Sequence, residues 1–167
     1  MATFTQCAPE TVQAQPVVEV VLALGSNYQA DKYLLLARQR LAALGAVRLS
    51  TDFQNPDFTA TVEQPKPDYT NQCIHLILTT PMSLQQLHQT FRTLEGDCNR
   101  CRQNKPNQVR RVTMDIDILM VKLANIENSL SKEPTSQLMS DWIVMADRYP
   151  FKAHEEAGVK ELILTKL

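Results

Sequence analysis

Two rhythms of apolar residues alternate along the chain. Residues 17–24 are nearly continuous in Val and Leu and stop at Gly25, the pattern of a buried strand closed by a Gly25-Ser26-Asn27 turn. Leu34, Arg38, Leu41 and Leu44 then recur at helical spacing, and Gly45 stands where a helix C′ glycine belongs, so the spacing predicts a helix over 31–44. Residues 46–53 alternate, with Val47 and Leu49 against Arg48 and Ser50, and read as a second strand. Three prolines (Pro56, Pro65 and Pro67) break the periodicity over 54–68, a loop of the length that usually carries function or disorder.

A third strand is predicted over 69–80, with Ile74, Leu76 and Leu78 on one face, Cys73, His75 and Ile77 on the other, and Pro81 ending it. Ser83 followed by Gln86 is a capping-box signature, and Leu84, Leu87, Phe91 and Leu94 mark a second helix. Residues 99–111 are polar and basic. They lead into a fourth strand, 112–122, in which Val112, Met114, Ile116, Ile118 and Met120 form one face and Thr113, Asp115, Asp117 and Leu119 the other. Residues 125–141 read as loop, and the final stretch carries a short helix near 155–164. The order β-α-β-β-α-β predicts an α+β, ferredoxin-like fold with an antiparallel sheet, helices on one face and a C-terminal extension. Residues 1–16 are polar and read as a flexible N-terminal arm before a single domain over 17–167.

Composition narrows the function classes. With 167 residues, 44% of them hydrophobic, the chain suits one domain with a real core. Lys and Arg number 17 against 18 Asp and Glu, a net charge of -1, which disfavours broad nucleic-acid binding. The longest apolar run is interrupted by Glu19 and is too short to span a bilayer, so no membrane association is expected. Residues 1–16 show no secretory pattern, and Cys7, Cys73, Cys98 and Cys101 are scattered; a cytoplasmic monomer is the expectation. Cys98 and Cys101 lack the second pair a structural zinc site needs, and they end a helix rather than begin one.

Asp115 and Asp117 carry the sharpest chemistry. In a strand, residues i and i+2 share a face with Cα atoms ~6.5–7 Å apart, so both carboxylates stand side by side on an element whose reverse is apolar. Mg²⁺ relieves such repulsion, taking one or two carboxylates with substrate phosphates in the remaining positions. Two solvated carboxylates on an open sheet face remain the alternative. Arg100, Arg102, Lys105, Arg110 and Arg111 in the preceding loop suit a phosphate clamp. By themselves they equally suit a solvated loop. Together the two features look like the halves of a phosphoryl-transfer site.

Four blocks in order resemble 6-hydroxymethyl-7,8-dihydropterin pyrophosphokinase, a folate-pathway family with a ferredoxin-like fold. They are Leu22-Ala23-Leu24-Gly25-Ser26-Asn27, Pro67-Asp68-Tyr69-Thr70-Asn71, Leu94-Glu95 with Arg100 and Arg102, and Thr113-Met114-Asp115-Ile116-Asp117-Ile118-Leu119. The resemblance implies transfer of the β,γ-pyrophosphoryl group of ATP to the pterin hydroxymethyl oxygen, with release of AMP. By match, Asp115 and Asp117 hold two Mg²⁺ ions, and Asp115 lies near the attacking hydroxyl. Arg100 stabilises the moving phosphates. Glu95, Arg102, Arg110, Arg111 and Ile118 serve ATP. Asn55, Pro56, Phe58, Tyr69 and Asn71 form the pterin slot. Small molecules are the implied partners, not nucleic acid.

The chain departs from the family pattern before the signature. The usual Trp-Gly-Pro-Arg run corresponds to Asn107-Gln108-Val109-Arg110-Arg111-Val112, so the tryptophan is missing and Val112 replaces the arginine unless Arg110 or Arg111 supplies it. The downstream Pro-His corresponds to Pro134-Thr135, and Trp142 is a candidate for the lost aromatic face. A non-catalytic or altered-specificity pterin- or nucleotide-binding paralogue is the alternative that these departures raise.

Overall fold

The computed structural model describes residues 4–103, 106, 108–124 and 142–163. Its elements are β1 (Phe4–Cys7), α1 (Pro9–Val12), β2 (Pro16–Ser26), α2 (Ala30–Ala42), β3 (Gly45–Asn55), β4 (Tyr69–Ser83), α3 (Leu84–Asp97), β5 (Asp115–Leu123), β6 (Trp142–Met145), a 3-10 turn (Ala146–Arg148) and α4 (Ala153–Ile163). The strands form one sheet in the order β1-β6-β5-β2-β4-β3. Its centre, β5-β2-β4-β3, is antiparallel throughout, the ferredoxin-like α+β arrangement. β6 adds antiparallel to β5, and β1 adds parallel to β6.

The two helices of the ferredoxin-like core cover one face. Leu34, Ala37 and Leu41 of α2 and Leu87, Phe91 and Leu94 of α3 meet Leu22, Leu24, Ile74, Leu76, Ile116 and Ile118 of the sheet. α3 opens at the capping box expected from sequence: the Ser83 hydroxyl accepts from the Gln86 N–H at 3.1 Å, and Gln86 Oε1 accepts from the Ser83 N–H at 2.8 Å. The C-terminal extension treats the opposite face differently. There α4 lays Val159 and Leu162 over Val21, Ala23, Cys73, Leu119 and Trp142, forming a second core. Trp142 is 5% exposed and packs edge-on against His75 at 5.6 Å, so it supplies core and not the aromatic face expected of it. Beside it, Glu19 joins His75 Nε2 at 2.8 Å and Lys122 Nζ at 2.9 Å.

Several elements differ from the pattern-based expectation, each for a tertiary reason. The segment read as a flexible arm contributes β1 and α1: β1 pairs with β6, and Val12 is buried against the helix-side core. Gly45 starts β3 instead of capping a helix: it pairs with Leu78 of β4, where the backbones come so close that an added Cβ would lie 1.9 Å from the Ile77 carbonyl oxygen. β4 runs through Pro81 to Ser83; the register with β2 jumps from Ile77 to Met82, leaving Pro81 out of that ladder. β5 begins only at Asp115, and a register shift opposite Val21 and Leu22 inserts an extra residue. That bulge puts Met120 with Leu119 in the second core, on the face opposite Ile116 and Ile118. No helix among the described residues is long and apolar enough to cross a membrane.

Candidate active site

Strand register assembles the site. Asp115, Gly25 and Asn71 lie in one row across β5, β2 and β4, and Asp117 lies in the next same-face row, beside Ala23. The floor between the carboxylates and Asn71 is therefore made of the two smallest side chains. An added Cβ on Gly25 would come within 2.9 Å of Asn71 Oδ1. Over this floor opens a cleft of about 390 Å³. Asn55, Pro56, Asp57 and Phe58 form one wall, Tyr69 and Asn71 the next, and Arg110 lies beside Asp115 and Asp117. Lys152, His154 and Glu155 close the far side from the start of α4.

A second hollow of about 380 Å³ lies at the end of α3, lined by Arg92, Glu95, Gly96, Arg100 and Arg102. Asp115 stands between the two spaces: its Oδ1 is 4.0 Å from the Nη2 atoms of both Arg100 and Arg102. Asn99 takes the left-handed conformation (φ 58°) after the helix, a conformation asparagine tolerates, and the Arg100 N–H turns back to the Glu95 carbonyl at 3.0 Å. Glu95 is buried. One of its oxygens accepts from the Ile116 N–H at 2.9 Å and the other engages Arg102, tying α3 to the start of β5. The Arg100 side chain is 2% exposed, and its Nε lacks a hydrogen-bond partner.

The Gly-Ser-Asn turn works as a clasp. Asn27 Nδ2 donates to the Arg110 carbonyl at 3.0 Å, its Oδ1 accepts from the Val112 N–H at 2.6 Å, and Ser26 Oγ donates to the Val112 carbonyl at 3.2 Å. This pins the residues before β5 and presents Arg110 to the cleft. Val112 itself is buried.

The first cleft thus collects Asn55, Pro56, Phe58, Tyr69, Asn71, Arg110, Asp115 and Asp117, and the second collects Glu95, Arg100 and Arg102. Two expected ATP residues lie elsewhere. Ile118 is 4% exposed in the helix-side core, because strand alternation sends it to the face opposite Asp117. Arg111 stacks over the Tyr28 ring at 4.7 Å and lines neither space. Lys105, Asn107 and the Pro134-Thr135 match lie outside the described residues.

Sequence reasoning missed the contribution of α4 and the turn before it. Arg148 Nη2 is 3.0 Å from Asp117 Oδ2 and 2.9 Å from Glu155 Oε1, and the Lys152 N–H donates to Glu155 Oε2 at 2.9 Å. No local pattern marks these residues. Only Asp57, adjacent to the Asn55-Pro56 match, carried a readable signal. Burial pushes the Asp117 carboxyl up, Arg148 pulls it down and Asp115 pushes it up again; the net direction is up. Burial likewise raises Tyr69 and lowers His154.

Among the described residues, no three His, Cys, Asp or Glu side chains gather in a metal-binding group. The donor set is two carboxylates facing open space, one of them disfavoured as a bare anion. Those hard oxygens suit Mg²⁺ completed by phosphate oxygens and do not suit a site built wholly from protein.

Comparison with known proteins bears on the family of the chain. None of the curated proteins compared with the chain matches it. The family model described as 7,8-dihydro-6-hydroxymethylpterin-pyrophosphokinase (HPPK) matches residues 21–145, which run from within β2 to the end of β6 and take in Asn71, both arginines at the end of α3 and both aspartates. With more than half of the chain matched, and with the ferredoxin-like sheet that brings those residues together, the protein belongs to the 7,8-dihydro-6-hydroxymethylpterin-pyrophosphokinase family.

Proposed function

We propose that the protein transfers the pyrophosphoryl group of ATP to 6-hydroxymethyl-7,8-dihydropterin in folate biosynthesis. The hydroxymethyl oxygen bonds to the β-phosphorus, the bond from that phosphorus to the α,β-bridging oxygen breaks, the hydroxyl proton departs and AMP leaves. One observation carries this reading: the Asp115–Gly25–Asn71 row sets a carboxylate and an amide over one glycine floor, with an arginine-lined hollow immediately beside that carboxylate.

Asn71 offers both a donor and an acceptor to a pterin edge, and Tyr69, Asn55, Pro56 and Phe58 wall the slot. Arg100 and Arg102 neutralise the phosphates of ATP, and buried Glu95 orients Arg102. Arg110 takes the role that Val112 vacates. Asp115 and Asp117 would hold two Mg²⁺ ions, which when bound supply charge neutralisation to the transferring phosphates. Positioning and electrostatics of this kind account for most phosphoryl-transfer catalysis.

Incubation with ATP, Mg²⁺ and the hydroxymethyl-dihydropterin releases AMP on this reading. Asp117→Ala lowers turnover by about 100-fold or more, as loss of a transition-state charge contact does. Tight pterin binding with no AMP at any protein concentration would replace the enzyme with a binding protein.

A further inference from the structure

Arg148 reaches the carboxylate pair from a part of the chain that no sequence motif marks. A single nitrogen, Nη2, bridges Asp117 Oδ2 at 3.0 Å and Glu155 Oε1 at 2.9 Å. The two acceptors differ. Glu155 is 2% exposed and is fixed by the Lys152 N–H at the start of α4, whereas the Asp117 side chain is 36% exposed at the cleft. The arginine is itself incompletely satisfied, since its Nε is buried without a hydrogen-bond partner. Asp115 is treated differently again, with its nearest guanidinium nitrogens 4.0 Å away. Of the two aspartates, then, Asp117 carries a contact counter-ion, and that counter-ion has a second, fixed carboxylate to hold it when Asp117 is taken.

We infer that Arg148 is a positioning residue that serves as the resident counter-ion of Asp117, competes with a divalent cation for that carboxylate, and so keeps the nucleotide-free protein's affinity for the cation low. The inference rests on the proposed magnesium role of Asp117. Its physical basis is charge. A guanidinium in contact with an anion repels an incoming dication, and water screens that repulsion only in part at such separations. Nucleotide phosphates bring their own negative charge and restore the dication's advantage. Glu155 retains the arginine in place, which keeps it from drifting into the cleft.

A purely structural ion pair and a competing counter-ion predict opposite signs. Removing a structural pair loosens the carboxylate and weakens cation binding; removing a competitor strengthens it. The test is Mn²⁺ titration of the full chain without nucleotide, read as free Mn²⁺ by electron paramagnetic resonance. Arg148→Met is expected to tighten Mn²⁺ binding by roughly tenfold, the effect of removing one nearby charge acting on a dication in a largely aqueous site. Arg148→Lys, which keeps the charge, is expected to stay close to the wild-type value.

If Arg148→Met binds Mn²⁺ no better than wild type while Asp117→Asn loses binding, the competition is wrong and the magnesium role of Asp117 survives. If Asp117→Asn leaves binding unchanged even when Arg148→Met has removed the competitor, Asp117 is not a cation ligand and the magnesium role itself falls. Absence of Mn²⁺ binding in every form, Arg148→Met included, overturns the competition, and the same titration with ATP present then decides the magnesium role. Should Arg148→Met fail to fold because Glu155 is left charged and buried, Arg148→Met combined with Glu155→Gln removes that charge and carries the same expected direction.

Discussion

Gly25 decides how near Asp115 and Asn71 stand to a common ligand, because a methyl group there would press on the Asn71 amide oxygen. Alternation along β5 decides the rest: Asp115 and Asp117 face the cleft, while Ile116 and Ile118 face the helices. A different charged residue, Glu19, shows how burial and pairing trade at one position. Burial pushes its carboxyl up, but hydrogen bonds from Lys122 and His75 outweigh that and leave its pKa below the ordinary 4.5. A lowered carboxylate pKa contributes stability that is fully present above the unfolded value and lost as pH falls through the folded one. Glu19→Gln is therefore expected to cost about 1.5–3 kcal/mol at neutral pH, the range for charged hydrogen bonds. Denaturant titrations across pH should show that gap narrowing in acid; a gap constant with pH would refute the assignment.

At the scale of elements, α4 changes what the open face of the sheet can do. A ferredoxin-like sheet with helices on one side leaves the other side bare. Here α4 covers Val21, Ala23, Cys73 and Leu119 and leaves the row of Gly25, Asn71 and Asp115 as a cleft. The helix sits close because Gly158 presents no side chain to β4: an added Cβ would lie 2.5 Å from Cys73 Sγ and 2.6 Å from its Cβ. Gly158→Ala should destabilise the protein by about 1–3 kcal/mol through overpacking. Gly96, in α3, has nothing within 4 Å of an added Cβ, so Gly96→Ala should stabilise by about 0.4–1 kcal/mol by restricting the unfolded chain. Equilibrium unfolding of the two variants side by side checks both signs.

Across the whole molecule, the sheet is extended by a pairing between distant parts of the sequence. Phe4–Cys7 lies parallel to Trp142–Met145, and Val12 fills the helix-side core. Removing residues 1–15 uncovers the β6 edge and empties the Val12 site. The expected loss is at least ~1.5–3 kcal/mol, the contribution of one fully buried aliphatic side chain. An unfolding midpoint unchanged by the deletion would show that the segment contributes no stability.

The central four strands, the helices α2 and α3, the capping box at Ser83 and the same-face placement of Asp115 and Asp117 were legible in the sequence, because each is set by spacing within a short window. The β1–β6 pairing, the passage of β4 through Pro81 and the bulge that turns Met120 were not, since each depends on a partner strand. The same division runs through the site. Local pattern and family resemblance pointed to Asn55, Tyr69, Asn71, Arg100 and the aspartates, and also to Ile118, whose place in the alternation argued against it.

By itself the sequence determined an α+β sheet that carries two carboxylates on one strand, behind a basic loop. Periodicity fixes faces, and faces fix which side chains stand together. Only the tertiary structure decided that Gly25 forms the floor, that Asn27 clasps Arg110 into place, that Trp142 belongs to a core and that Arg148 meets Asp117. Those contacts join residues far apart in the chain, and nothing in the local order of side chains encodes which distant neighbour a strand or helix will meet.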